Sequence, residues 1–215
     1  MHTQAQKHMD ALLARYPALE GCAADIQSAF NGMADTFKNG GKLLVCGNGG
    51  SAADSEHIVG ELMKGFLLKR EIGKDARKTL ADAAGADAEI ICGNLQGALP
   101  AISLVSHSAL STAFSNDVAP DMVFAQQVYG YARPNDVFIG ISTSGRSRNV
   151  LYAAKVANAL GVRTIALTGS QGNELAAVSD IAIRVPSDET PAIQEYHLPV
   201  YHALCAMVEA VFFEA

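Results

Sequence analysis

The chain has 215 residues, a net charge of −6, 49% apolar residues and 18% charged residues. That balance excludes a disordered chain and allows a core of ordinary domain size. The acidic excess, with no basic tract and no apolar run as long as a membrane span, argues against direct nucleic-acid binding and against a membrane protein.

Residues 4–15 and 18–38 read as two helices separated by Pro17, the second carrying Ile26, Phe30, Met33 and Phe37 at helical spacing and stopped by Asn39-Gly40-Gly41. From there strand and helix alternate. Strand-like runs are Lys42–Gly47, Ala101–Ser106, Asp136–Ser142, Arg163–Thr168 and Ile181–Val185. Helical segments are Ala52–Phe66, Pro120–Tyr131, Ser147–Leu160, Asn173–Val178 and Thr190–Phe213. Apolar runs such as VFIGI lack alternation, as strands buried on both faces do. The pattern predicts an α/β fold: a doubly wound, flavodoxin-like parallel sheet of five strands preceded by a helical pair over 1–40, with 1–215 as one domain. Residues 67–99 break the rhythm. They read as an insertion, either a short helix with a loop over the site or a disordered surface loop.

Two strand–helix junctions carry the chemistry. At the first, Cys46-Gly47-Asn48-Gly49-Gly50-Ser51 ends an apolar run and opens a helix. Glycines permit positive φ and close ligand approach, and the helix start offers free N–H groups to an anion. At the second, Ser142, Thr143, Ser144 and Ser147 offer hydroxyls that suit phosphate oxygens. A plain turn and an N-cap are the bland readings of these loops. In an open parallel sheet, ligands gather at the carboxyl ends of strands, where both loops fall.

His57 and Glu61 are four apart, so both project from one helix face as an acid–base pair, half a metal site or an exposed ion pair. Gln194 and His202, eight apart, share a face of the last helix, while His197 lies off that line and Pro199 between them is expected to kink it. The four cysteines form no CxxC pair, and the first residues show no signal-peptide run, so reduced thiols and a cytoplasmic location are expected.

The ordered set CGNGGS, HxxxEL, Asn116-Asp117, GISTSGxSxNV, TIALTG, IRVP and IQExHxxxxH resembles the SIS (sugar isomerase) family, specifically the phosphoheptose isomerases that act on sedoheptulose 7-phosphate. The resemblance spans most of the chain. It implies an aldose–ketose isomerase making D-glycero-D-manno-heptose 7-phosphate for heptose precursors of surface polysaccharide, working as a homotetramer with sites between subunits. It implies Glu61 as catalytic base and His202 as its acid–base partner. Substrate contacts would come from Asn48, Gly49, Gly50, Ser51, Glu61, Asn116, Asp117, Ser142, Thr143, Ser144, Ser147 and Gln194. It implies one zinc ion per subunit on His57, Glu61, Gln194 and His202. The chain departs from the family pattern at Lys64-Gly65-Phe66, where an arginine is usual, in the length of 67–99, and at Thr190-Pro191-Ala192. Two other roles stay open: an SIS isomerase or binding protein for another phosphosugar, and a non-catalytic scaffold for the replication initiator.

Overall fold

The computed structural model describes residues 3–213, so residues 1, 2, 214 and 215 of the predicted unit lie outside the described residues. The apolar runs form β1 (Leu43–Cys46), β2 (Ala101–Ser103), β3 (Val137–Ile141), β4 (Arg163–Thr168) and β5 (Ile181–Arg184), all parallel in the order β2-β1-β3-β4-β5. This is the predicted flavodoxin-like α/β order. Both β1 and β3 are buried along their whole length, which is why their sequences do not alternate.

The pleat sends successive side chains to opposite layers. Leu43, Val45, Ile139 and Ile165 face one core with α1 (Thr3–Arg15), α2 (Ala23–Lys38), α3 (Gly50–Met63) and α10 (Thr190–Phe213). Leu44, Cys46, Phe138 and Ala166 face the other, with α7 (Val123–Tyr131), α8 (Arg148–Ala159) and α9 (Glu174–Val178).

Several boundaries differ from the sequence reading. The second helix is broken: Pro17–Cys22 is a 3₁₀ turn opened by the proline, and α2 starts only at Ala23. It ends as read, because Gly40 at φ 72° lets Gly41 N–H reach Thr36 O at 2.9 Å and close a Schellman cap. Helix α6 (Ser108–Asp117) was not foreseen: its serines and threonine are weak helix formers and it buries no residue, so periodicity gives little signal. Residues 67–99 hold two helices, α4 (Lys74–Ala84) and α5 (Ala88–Asn94), rather than one short one. Gly85 turns between them at φ 56°, and an antiparallel bridge between Glu71 and Gln96 closes the base of the hairpin. Helix α10 continues through Pro199 as one element. No helix among the described residues is long and apolar enough to cross a membrane.

Candidate active site

In this strand order the chain leaves β1 toward β2 and β3 toward β4, so the loops after β1 and β3 flank the crevice where the order reverses. Asn48 and Asn149 tie them together, each amide nitrogen donating to the other's oxygen at 2.9 Å. Asn149, in the first turn of α8, was not among the candidate site residues read from the sequence, although it stands in the GISTSGxSxNV motif. Gly49 has φ 56°, and Gly47 approaches Ser51 so closely that a Cβ would meet Ser51 Cβ at 2.6 Å. Neither Gly49 N–H nor Gly50 N–H donates to another described residue, which leaves two backbone donors without a protein partner at the exposed start of α3. In the second loop, the hydroxyls of Ser142 and Ser147 lie 3.1 Å apart, and Gly145 N–H donates to Ser142 Oγ at 3.1 Å. Gly145 adopts φ 63°, where a side chain would collide with Asn173. Thr143 and Ser144 line a cavity of about 140 Å³ beside this loop.

The second group sits where α3 meets α10. His57 Nε2 is 3.1 Å from Glu61 Oε1 and 3.5 Å from His202 Nε2, across a sequence distance of 145 residues in the second case. Lys64 Nζ donates to Glu61 Oε2 at 3.0 Å. On its other side, His57 Nδ1 meets the Tyr201 hydroxyl at 3.0 Å, and that hydroxyl donates to Asp54 Oδ1 at 3.2 Å. Burial, the charge on His57 and, in opposition, Glu61 leave the His202 pKa lower than usual. Burial raises the Asp54 pKa against the pull of Tyr201 and His57. His202 also lines a cavity of about 430 Å³ with Phe66, Leu67 and Leu198. A larger cavity, about 510 Å³, lies beside Asp35, Asp136 and Asp180 at the amino ends of the strands and contains none of the candidate residues. That is the wrong end of an open parallel sheet for a ligand.

Gln194 bridges the two groups along α10: its Nε2 would lie 2.5 Å from a Cβ at Gly50, so the glycine makes room for it at the start of α3. Asn116 and Asp117, exposed in the last turn of α6, bond to each other at 2.9 Å and to none of the other candidate side chains. The candidates thus form a crevice group and an α3/α10 group, with the Asn116 pair apart from both.

A pair missed in the sequence holds the α3 end in place. The Glu209 carboxylate accepts from the N–H groups of Phe66 (2.8 Å), Leu67 (2.7 Å) and Leu68 (3.2 Å), and from Arg70 Nε at 2.7 Å. Arg70 in turn donates to the carbonyls of Leu62 at 2.6 Å and Glu61 at 2.8 Å. The signal was a lone glutamate in the apolar run ALCAMVEAVFF.

Could the α3/α10 group hold a metal? Two imidazole nitrogens, a carboxylate and an amide are donor types zinc accepts. Ligands of a tetrahedral zinc with bonds of ~2.0 Å lie about 3.3 Å apart, near the 3.5 Å between the two Nε2 atoms. Among the described residues, however, no three His, Cys, Asp or Glu side chains form a ready metal cage, and the two oxygens of Glu61 are engaged by His57 and Lys64. The donors fit a metal; the cage is not preassembled. Burial pushes the Cys205 thiol up to about 12 and raises that of Cys46 as well, so neither is a nucleophile.

Two models of the SIS domain match the chain, over residues 7–91 and 106–212. The phosphoheptose isomerase of Akkermansia muciniphila is 39% identical over 90% of this chain and 89% of its own length. That of Geotalea daltonii is 41% identical over 84% of this chain and 81% of its own. Among solved structures, a phosphoheptose isomerase from Francisella tularensis superposes with a TM-score of 0.74 at 31% identity, covering 93% of this chain and 92% of that one. Phosphoheptose isomerase GmhA from Neisseria gonorrhoeae gives a TM-score of 0.70 at 33% identity, covering 91% and 92%. With this sheet order, these loops and relatives matched along nearly their whole length, the chain belongs to the phosphoheptose isomerase family of SIS-domain proteins.

Proposed function

We propose that the protein interconverts sedoheptulose 7-phosphate and D-glycero-D-manno-heptose 7-phosphate. The observation that carries this reading is the meeting of Glu61, His57 and His202 across α3 and α10, on a chain whose relatives are phosphoheptose isomerases. Isomerisation moves a proton between neighbouring carbons through an enediol, and this requires a base on carbon and an acid for the oxygens. Glu61 removes the carbon-bound proton, and His202, whose pKa burial and His57 lower, carries protons between the oxygens. Ser51, Ser142, Thr143, Ser144 and Ser147, with the free N–H groups of Gly49 and Gly50, hold the phosphate. Asn48 and Gln194 contact the sugar hydroxyls, and Asn116 and Asp117, which stand apart from both groups within one chain, would reach them from a neighbouring subunit. Binding energy from the remote phosphate then fixes the reacting carbons against Glu61.

His57, Glu61, Gln194 and His202 would hold zinc. Bound there, zinc supplies a Lewis acid for the developing oxyanion. The protein acts as a homotetramer; exposed Leu67 and Leu198, at 58% and 41%, on the rim of the cavity beside His202 support closure of the site by a neighbouring subunit. The two SIS-domain matches contribute strands to one sheet, which supports a single domain. The test incubates purified protein with sedoheptulose 7-phosphate, with and without a chelator. Formation of the aldose, slowed by the chelator, is expected; no aldose in either case overturns the reading, and binding of the replication initiator in its place would favour the scaffold.

A further inference from the structure

Glu61 stands in the last turn of α3, just before the helix ends at Met63. In a continuing helix its carbonyl would accept from Gly65 N–H, and that of Leu62 from Phe66 N–H. Neither bond forms. Lys64 is extended, at φ −138° and ψ 174°, so the chain leaves the helix at once. Gly65 N–H donates instead to Gln96 Oε1 at 2.7 Å, and Phe66 N–H to Glu209. The Arg70 guanidinium takes both abandoned carbonyls, and Leu62 O also accepts from Leu99 N–H at 2.9 Å. Its positive charge at this end of α3 complements the helix dipole. The packing requires a glycine at 65, where a Cβ would collide with the carbonyl oxygen of Leu68.

Arg70 and Gln96 stand on the two chain segments at the base of the α4–α5 hairpin, beside the Glu71–Gln96 bridge, and Gly97 N–H donates to Arg70 O at 3.1 Å. The base of the hairpin therefore terminates α3. The departures from the family pattern at 64–66 and over 67–99 meet in this one set of contacts. We propose that Arg70 and Gln96 are positioning residues that keep the last turn of α3 wound and so hold Glu61 against the substrate. The inference rests on the reading of Glu61 as the base. Arg70 is 1% exposed, and its planar fork reaches two successive carbonyls. A lysine ammonium is a point charge without that fork. A terminal turn whose carbonyls lose their partners frays, and a shift of about 1 Å at a reacting group costs about 10²-fold in rate.

Two variants test this. Arg70→Lys keeps a charge beside Glu209 and loses the fork. Gln96→Ala truncates an exposed side chain, so the fold is at little risk. For each, hydrogen–deuterium exchange of peptides spanning residues 58–66 and 137–141 is set beside turnover of sedoheptulose 7-phosphate. Exchange at 58–66 is expected to quicken about tenfold or more in Arg70→Lys and less in Gln96→Ala, while β3 keeps the parent rate. Turnover follows: kcat per folded molecule falls about 10²-fold in Arg70→Lys and roughly threefold in Gln96→Ala. KM stays within about twofold, since the phosphate loops are untouched. A merely structural role gives a different pattern, in which β3 exchange rises in step with 58–66 and kcat per folded molecule is parental. That pattern overturns the proposal, as does unchanged exchange at 58–66 in both variants, or faster exchange there with parental kcat. A parent that makes no aldose, or a Glu61→Gln variant that turns over like the parent, refutes the reading of the base instead. The exchange measurement then decides by itself whether the pair orders the end of α3.

Discussion

Two charged clusters join the same pair of helices, α3 and α10, and they are built in opposite ways. In the Arg70–Glu209 cluster both side chains are about 1% exposed, and the carboxylate takes three backbone N–H groups as well as the guanidinium. Its hydrogen-bonding capacity is spent within the fold. In the His57–Glu61–His202 cluster the groups are partly open, His202 borders a cavity, and two imidazole nitrogens face one another without a proton assigned between them. Saturated polar groups hold a structure together; unsaturated ones are available for chemistry. Arg70 also connects the two clusters, since it holds the carbonyl of Glu61.

The contrast can be broken experimentally. The largest expected effect is at the open cluster: Glu61→Gln and His202→Gln each lower kcat by roughly 10² to 10⁴-fold while the thermal midpoint stays near that of the parent. A variant with near-parental turnover removes its residue from the mechanism. At the closed cluster the pattern reverses. Glu209→Ala strands the buried guanidinium and three N–H groups and costs about 3–5 kcal/mol, which calorimetry reads as a fall in Tm of roughly 10 °C. A fall of only a degree or two would mean that the clamp is not a structural element.

A third test uses a buried group from neither cluster. His197 is fully buried, and neither ring nitrogen has a hydrogen-bond partner among the described residues. Burial lowers its pKa from 6.5 to about 4, against the opposing pull of the nearby Thr168 backbone. The unfolded chain therefore takes up a proton first as pH falls. Stability is full above pH 6.5 and declines toward about 4, by about 3 kcal/mol from this residue. Urea midpoints across that range measure the slope, and His197→Phe is expected to flatten it. The smallest effect belongs to Lys64, whose exposed bond to Glu61 sits at the rim of the open cluster. Lys64→Ala is expected to change stability by less than about 1 kcal/mol and turnover only a few-fold. A loss as large as that of Glu61→Gln would place Lys64 inside the reaction.

Local signals carried much of this. The non-alternating runs of β1 and β3 announced strands covered on both sides, the glycines after Cys46 announced a tight turn with free N–H groups, and the spacing of His57 and Glu61 put them on one face. The resemblance added the family and with it the pairing of Glu61 with His202. Weak local signals misled or were silent: α6 buries nothing, the hairpin α4–α5 buries only Cys92, and residues 18–22, after the proline break, were read as the start of the second helix but form a 3₁₀ turn with Pro17.

By itself the sequence determined the alternation of strands and helices, the glycine- and serine-rich make-up of two strand–helix loops and the helical spacing of the candidate acid–base residues, because each is written in residues within a turn or two of one another. Only the tertiary structure decided that Tyr201 stands between Asp54 and His57, that Asn48 grips Asn149, and that Glu209 caps the segment after α3. These partners lie roughly 100 to 150 residues apart. Such meetings are set by the stacking of helices on the two faces of the sheet, which burial of the whole core dictates and no local periodicity encodes.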